Sequence, residues 1–499
     1  MKRIKFSKVV FALFFIFILN GNSYGFDLES KVIKTRLKNG LTVLMLERHI
    51  SPTVSLYIRY RVGAVDEKKG ESGAAHLLEH MMFKGTPTIG TKNYAVEKKI
   101  LAAIEKTGVA LDRERLRGVK ANPERIRVLQ NKLIELQKKH KKYFIPNEID
   151  RLYTENGSVD MNASTGQDVT SYHLSLPSNK IELWARIESD RLMNPVFREF
   201  YTERDVVMEE RRQRVETDPH GKLYEQFLST AYKTHPYRRP ILGWTEDLMN
   251  LSPSSLRNIF SRYRSPESIV IAVVGDINPS STLRLIEKYF GGIPSKREKH
   301  SVIPEEPKQI EERRVSINFD ANPMLLIGYH KPTAPAYDDY VLDVLEAILT
   351  KGRTSRLYRR LVTEEGIAKS INAANGIPGA RYPNLFIISG EPRFPHTNAE
   401  LEESILREIE NLKAQPVSPE EITKAKNHLR MGFIQSMDSN SEIASILSYY
   451  EVLLGNYKYF ADYLNVIDRV SIADIQNVIG VYFTKNNRTI AELKNEKGE

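Results

Sequence analysis

The sequence predicts an α+β protein made of two similar domains, each a mostly antiparallel sheet packed with helices. Three observations carry that prediction. The chain has 499 residues, enough for two domains with cores of their own. Strand patterns followed by long helical patterns occur before residue 293 and again after residue 314. Between them, residues 294–313 are charged and contain proline, the composition of a linker. The repeat lies in the order of elements and not in identical letters, as expected of a diverged duplication.

The N-terminus reads as an address. Lys2, Arg3, Lys5 and Lys8 precede an apolar run from Val9 to Leu19. Small and polar residues follow, with Ser23 and Gly25 at suitable −3 and −1 positions. Residues 1–25 therefore match a secretory signal peptide cut near Gly25–Phe26. The apolar run is short of the roughly 20 residues a membrane span needs; an uncleaved anchor is the alternative reading. The expectation is an exported, periplasmic chain from residue 26 onward, without a stable membrane span.

Within residues 26–293, Val32 to Leu46 reads as two strands around an Asn39-Gly40 turn, and Val54 to Val62 as a third strand. Ser72 to Phe83 reads as a helix with Ser72 as N-cap and Gly85 as its stop. Tyr94 to Glu105 is a second helix. Ile126, Leu129, Leu133 and Leu136 then recur at helical spacing among Arg and Lys, an amphipathic helix with a basic outer face. Val169 to Leu176 alternates like a strand. Ile181 to Leu192 and Glu203 to Val215 read as helices, Ser268 to Val274 as an apolar strand and Ser281 to Tyr289 as a helix. In the second half, Arg314 to His330 reads as strands and Asp338 to Leu349 as a helix. Leu385 to Gly390 is a strand, and Asn398 to Ala414 and Pro419 to Gln435 are helices.

Composition narrows the chemistry. There is no cysteine, so a metal could be held only by histidine and carboxylates. Net charge is +10, or +6 once the four signal-peptide cations are removed (10 − 4), and much of the excess lies between Arg113 and Lys142. A basic balance can indicate nucleic acid or an anionic membrane surface. Export and the lack of interleaved aromatics argue against nucleic acid; a solvated basic face is the simpler reading.

The most informative residues are His76-Leu77-Leu78-Glu79-His80. Two imidazoles four apart share one helix face, about one 5.4 Å turn from each other, and Glu79 borders that face. The spelling is that of the inverted zinc-protease motif. Two ligands do not complete a site, because a catalytic zinc takes three protein ligands and leaves a position open. The strongest stretch for the third is Glu203-Arg204-Asp205-Val206-Val207-Met208-Glu209-Glu210. Glu203 and Glu210 are seven apart and share a helix face, while Glu209 points elsewhere. One of the pair can bind metal while the other orients a ligand or the substrate.

On these residues the chain resembles the pitrilysin/insulinase family of zinc peptidases, closest to its bacterial and mitochondrial processing-peptidase branch. The resemblance extends over nearly the whole mature chain. It includes Asn162-Ala163-Ser164-Thr165, then Asp168, Tyr172 and Pro177, and Gly352-Arg353-Thr354-Ser355-Arg356-Leu357-Tyr358 of the second domain. It implies that His76, His80 and Glu210 hold one Zn2+ per chain, that Glu79 is the general base, and that Glu203 is a supporting acid. It also implies that Asn162, Ala163, Ser164 and Thr165 supply a sheet edge to which peptide substrate adds as a strand. The chain would then be one bowl-like half of a peptidase chamber.

Two departures qualify that picture. His80 and Glu210 are 130 residues apart (210 − 80), more than is usual in the family, and the excess matches a helical insertion at about 109–153. It is either a surface decoration or a partner-docking or chamber-gating element. Active members also present an Arg and, seven residues on, a Tyr to the zinc; Val362 and Lys369 stand at those positions here. Arg356, Tyr358 and Tyr382 lie nearby at different spacing. The expectation is a zinc-dependent endopeptidase acting on peptides or unstructured segments. It would pair with a homologous subunit as a heterodimer, or with itself as a homodimer. The alternative is a non-catalytic scaffold subunit of such a complex; the intact Glu79 argues against it.

Overall fold

The computed structural model describes residues 28–295 and 302–495. The expected signal peptide lies outside the described residues, as do residues 296–301 of the expected linker. No helix among the described residues is long and apolar enough to cross a membrane.

Two sheets organise the chain. β1 (Ile33–Arg36), β2 (Thr42–Glu47), β3 (Thr53–Tyr60), β4 (Val159–Thr165), β5 (Thr170–Pro177) and β6 (Ile269–Gly275) form the first, in the order β1-β2-β6-β3-β5-β4. β7 (Arg313–Phe319), β8 (Met324–Lys331), β9 (Ala368–Ile377), β10 (Asn384–Pro392) and β11 (Arg488–Asn495) form the second, in the order β7-β11-β8-β10-β9. Leaving out β1, the two orders coincide strand for strand. Each sheet has one parallel pair, β2 with β6 and β7 with β11, and is otherwise antiparallel. This is the duplicated, mostly antiparallel α+β unit that the order of elements predicts.

The central strands are apolar on both sides because both sheet faces are covered. In β6, Ile269, Ile271 and Val273 point into one core, while Val270, Ala272 and Val274 point into another. The first core is roofed by helices of the same half, through Leu77, Met81, Trp184 and Phe290. The second face is covered from the other half. Helix Asn440–Leu454 lays Ile443, Ala444 and Leu447 against Leu44, Leu46 and Val270. Its Ser445 and Ser448 accept hydrogen bonds of 2.7 and 2.9 Å from Arg59 of β3. The exchange is reciprocal. Helix Pro219–Ala231 of the first half sends Leu223, Phe227 and Leu228 into Leu326, Leu385 and Leu493 of the second sheet. Gly328 makes room for it: a Cβ there would lie 2.4 Å from Phe227 Cζ.

Most of the expected insertion at about 109–153 belongs to a helical hairpin. The second helix runs from Tyr94 to Arg115, beyond the expected end at Glu105, and helix Pro123–His140 returns along it. The hairpin is antiparallel: Glu97 near its start meets His140 at its end, 2.7 Å apart, and Arg115 reaches Gln130 near the turn. Arg198 donates to Glu97 at 2.7 and 3.0 Å and ties the base of the hairpin to the body.

Candidate metal centre

The histidine helix spans Ala74–Met82. Its N-cap is Gly73, at φ +83, and not the expected Ser72. The Ser72 hydroxyl is engaged elsewhere, donating to Asp247 at 2.6 Å and accepting from the Trp244 N–H at 2.8 Å. The buried Glu67 carboxylate caps the helix in its place, accepting from Gly73 N and Ala75 N at 3.1 and 2.8 Å. This end of the helix is pinned, which fixes the rotation of the whole element. Met81 and Met82 are in the core and Phe83 packs against it.

The glutamate helix spans Phe200–Arg211 and runs on into a π-turn at Arg212–Glu216. Its Glu203 and Glu210 face the histidine helix. Nε2 of His76 and Nε2 of His80 each lie 3.7 Å from the same oxygen, Oε2 of Glu210. Among the described residues this is the one His/Asp/Glu group whose ligand atoms all fall within 4.8 Å of one another. His80 Nδ1 meets Glu203 Oε2 at 3.3 Å. Glu209 points to solvent and pairs with Arg212.

These atoms suit a zinc ion. Contacts of 3.7 Å are too long for hydrogen bonds. They approach the edge of roughly 3.4 Å that ligands about 2.0–2.1 Å from a tetrahedral ion would span. Burial, with His80 and Arg214 nearby, lowers the His76 pKa to about 3, so this imidazole is neutral and its lone pair free at physiological pH. At His80 burial opposes the charged form, but the Glu203 hydrogen bond and the surrounding carboxylates outweigh it and raise the pKa. With Nδ1–H donated to Glu203, the Nε2 lone pair faces the centre, the usual arrangement of a metal-bound histidine. Burial likewise opposes the charge on Glu203, yet its hydrogen bonds to His80 and Lys84 hold its pKa below the ordinary carboxylate value.

Glu79 lies one residue before His80 and does not join the ligand cluster. Its Oε2 accepts a 2.5 Å hydrogen bond from Thr165 Oγ1, and burial raises its pKa. Thr165 belongs to β4, which among the described residues pairs only with β5 and leaves its other edge free. Asn162, Ala163 and Ser164 lie on the same strand, opposite His173, Tyr172 and Ser171. The structure therefore brings the His helix, the Glu helix and a free sheet edge to one place.

Three contacts were missed from sequence. Lys84 bridges Glu203 and Glu199, and Arg214 holds Glu210 Oε1 at 3.0 Å. Arg214 stands four residues beyond Glu210, so helical spacing could have found it, whereas the carboxylates that Lys84 meets are more than 100 residues away in sequence. The Thr165–Glu79 bond had no such signal. In the second half, Val362 packs against the core and Lys369 pairs with Glu391 at 2.8 Å. Arg356 is held by Glu421 at 2.7 and 2.8 Å, Tyr358 packs on the core, and the Tyr382 ring lies against His235 and Tyr237.

Comparison with known proteins identifies the family and the fold. The profile of Insulinase (Peptidase family M16) matches residues 42–116 and 136–245, and that of the Peptidase M16 inactive domain matches residues 250–429. The chain belongs to the insulinase family of peptidases, family M16. Within this M16 chain, the gap in the first match, residues 117–135, falls inside the expected insertion and covers the hairpin turn and most of its returning helix. The zinc protease PqqE of Helicobacter pylori is 28% identical over 468 residues, 92% of this chain and 91% of the relative. The uncharacterized zinc protease YmxG of Bacillus subtilis is 22% identical, covering 90% and 95%. A crystal structure of a protease from Helicobacter pylori superposes with a TM-score of 0.76 at 25% identity, over 93% of this chain and 99% of that one. The periplasmic protease PqqL of Escherichia coli shares the fold at a TM-score of 0.69 and 18% identity. There the match takes in 94% of this chain but 48% of the other, so this chain has the fold of half that protein.

Proposed function

We propose that this chain is the zinc-bearing subunit of an exported endopeptidase that hydrolyses peptides or unstructured protein segments. The observation that carries the reading is the convergence of His76, His80 and Glu210 beside Glu79 and the free edge of β4. His76, His80 and Glu210 would hold one zinc ion; when bound, it polarises the scissile carbonyl and makes water acidic near neutral pH. Glu79 acts as general base and then delivers the proton to the leaving amine. Its raised pKa suits a group that must accept and release a proton, and Thr165 orients it. Glu203 fixes the His80 tautomer and ring plane, and Lys84 fixes Glu203. Substrate adds as a strand to β4 at Asn162–Thr165, recognised through backbone pairing.

Residues 1–25 serve as the signal peptide, the zinc domain occupies 26–293, and the second domain occupies 314–499 after the linker. The chain forms one bowl-like half of a chamber, closed by a homologous partner. Val362 and Lys369 are engaged in packing and in an ion pair, so the Arg/Tyr pair comes from that partner.

The test is metal analysis and peptide cleavage for wild type and Glu79→Gln, each with and without the candidate partner. Glu79→Gln retains zinc and loses activity by about 10²–10⁴-fold. A variant that cleaves at the wild-type rate, or a wild type that binds no zinc, overturns the assignment. Full activity of the zinc-loaded monomer alone removes the partner from the mechanism.

A further inference from the structure

The helical hairpin carries a surface that the proposed chemistry does not use. Between residues 113 and 142 there are 11 Lys and Arg against 3 Glu. All 11 cations are exposed. The three acids do little to cancel them: Glu114 is buried against Arg117 and Arg125, Glu124 pairs with Arg127, and Glu135 stands alone among its basic neighbours. Arg113, Lys120, Lys132, Lys138 and Lys139 form no ion pair with a carboxylate among the described residues, and Arg115 has only Asp205 nearby. With +8 concentrated here, the rest of the chain from residue 26 on is slightly acidic, at −2 (6 − 8). The charge is thus a strongly one-sided field and not an average basicity.

The same hairpin exposes aliphatic side chains. Val119 is fully exposed, and Leu116 and Val128 are 55% and 53% exposed. Leu116 and Val119 lie in the turn between helices Tyr94–Arg115 and Pro123–His140, and Val128 lies within the returning helix.

We propose that the hairpin docks the chain on an anionic phospholipid bilayer. Cations along both helices would meet the headgroups, and Leu116, Val119 and Val128 would enter the acyl boundary. The composition separates a bilayer from the other polyanions. Residues 113–142 contain no Phe, Trp or Tyr, so there is no stacking platform for single-stranded nucleic acid. Protein interfaces enrich aromatics and deplete lysine at their centres, whereas six of these 11 cations are lysines. A bilayer asks for no shape complementarity, and long lysine stems reach headgroups while their methylenes stay apolar. The proposal is independent of the peptidase reading, because none of these residues belongs to the metal centre.

The test is flotation of the full mature protein with vesicles of phosphatidylcholine alone and of phosphatidylcholine with 30% phosphatidylglycerol. Wild type should bind the anionic vesicles and release them as salt is raised. Each neutralised cation should weaken binding about fivefold. The quadruple variant Arg113→Gln, Arg115→Gln, Lys120→Gln, Lys132→Gln should therefore lose several hundredfold. Leu116→Ser with Val119→Ser should lose about tenfold or more at any salt. All six positions are exposed, so melting temperature and peptide cleavage should match wild type. Equal binding to both vesicle types, or quadruple-variant binding equal to wild type, overturns the proposal. Capture of an acidic protein through these residues without vesicle binding overturns it as well.

Discussion

Replacing Glu203 by glutamine keeps the size of the side chain and removes its charge. In the structure this carboxylate has two tasks: Oε2 accepts from His80 Nδ1 at 3.3 Å, and Oε1 meets the Lys84 ammonium. A hydrogen bond to a charged group contributes about 1.5–3 kcal/mol. The His80 contact is long, so the lower end applies to it. Lys84 would keep only Glu199, at 3.5 Å, and its poorly compensated charge near the site would also disfavour a cation. Both effects point the same way, and partners of this kind change metal affinity by about 10–100-fold. Competition against a chromophoric chelator measures this directly, alongside peptide cleavage at saturating zinc. Glu203→Gln should bind zinc about tenfold to a hundredfold more weakly, with activity partly restored by excess metal. Glu209→Gln is the control: Glu209 is exposed, pairs only with Arg212 and Gln213, and should change neither quantity. If Glu203→Gln bound zinc within twofold of wild type, the assignment of Glu203 as the partner that positions His80 would be refuted.

Two other outcomes follow from groups away from the metal. Asp343 is buried in the second half, and burial, with Asp339 nearby, raises its pKa from 3.8 to about 7. It therefore takes up a proton on folding, so its contribution to stability is present at low pH and is lost as pH rises from near 4 through about 7. The loss is on the order of a few kcal/mol. Asp343→Asn should raise the melting temperature at pH 8 and change it little at pH 4; an equal effect at both would contradict the raised pKa. Phe227, fully buried where the first half's helix meets the second sheet, should cost about 3–5 kcal/mol when cut to alanine. A loss under about 1 kcal/mol in denaturant titration would mean that the exchanged helix is not part of that core.

Sequence reasoning reached the helix that carries His76, Glu79 and His80 because the spacing of three polar residues on a helix is a local property. Glu203 and Glu210 were legible as a pair on one face for the same reason. That they meet the histidines is not local, and only the family resemblance supplied it. β4 was harder. Its burial alternates weakly, with Val159, Asp160, Asn162 and Ser164 exposed, so no apolar pattern marks it as a strand. It exists because β5 pairs with it. The expected Ser72 cap failed because a serine before a helix can serve any nearby donor or acceptor, and the Trp244 N–H and Asp247 were nearer in space. Helices Pro219–Ala231 and Asn440–Leu454 were not assigned at all. Even where an apolar face can be read from a sequence, nothing in it says that the sheet it covers belongs to the other half.

That exchange bears on how one architecture can occur twice while the candidate metal centre occurs once. The helix after β8, Tyr337–Thr350, follows its strand as the histidine helix follows β3, and β9 is a free edge as β4 is. Yet it carries Asp339, Asp343 and Glu346 in place of histidines. Asn375 of β9 donates to Asp343 at 2.8 Å and to Glu346 through its backbone N–H at 2.8 Å, and the buried Lys331 is paired with Asp339. The counterpart of the candidate metal centre is thus an acidic cluster met by one lysine and by the hydrogen bonds of an asparagine from within its own fold. The carboxylates are already engaged, and no imidazole is present to ligate an ion. Without a histidine cluster of its own, this half still has a structural task the first half cannot do without. Its helix Asn440–Leu454 is what keeps Leu44, Leu46, Val270 and Ala272 out of water. Val270 and Ala272 belong to β6, which lies between β2 and β3; β3 leads into the histidine helix and pairs with β5, the strand to which β4 is hydrogen-bonded. The second half therefore bears on the candidate site through the sheet that holds both of its sides.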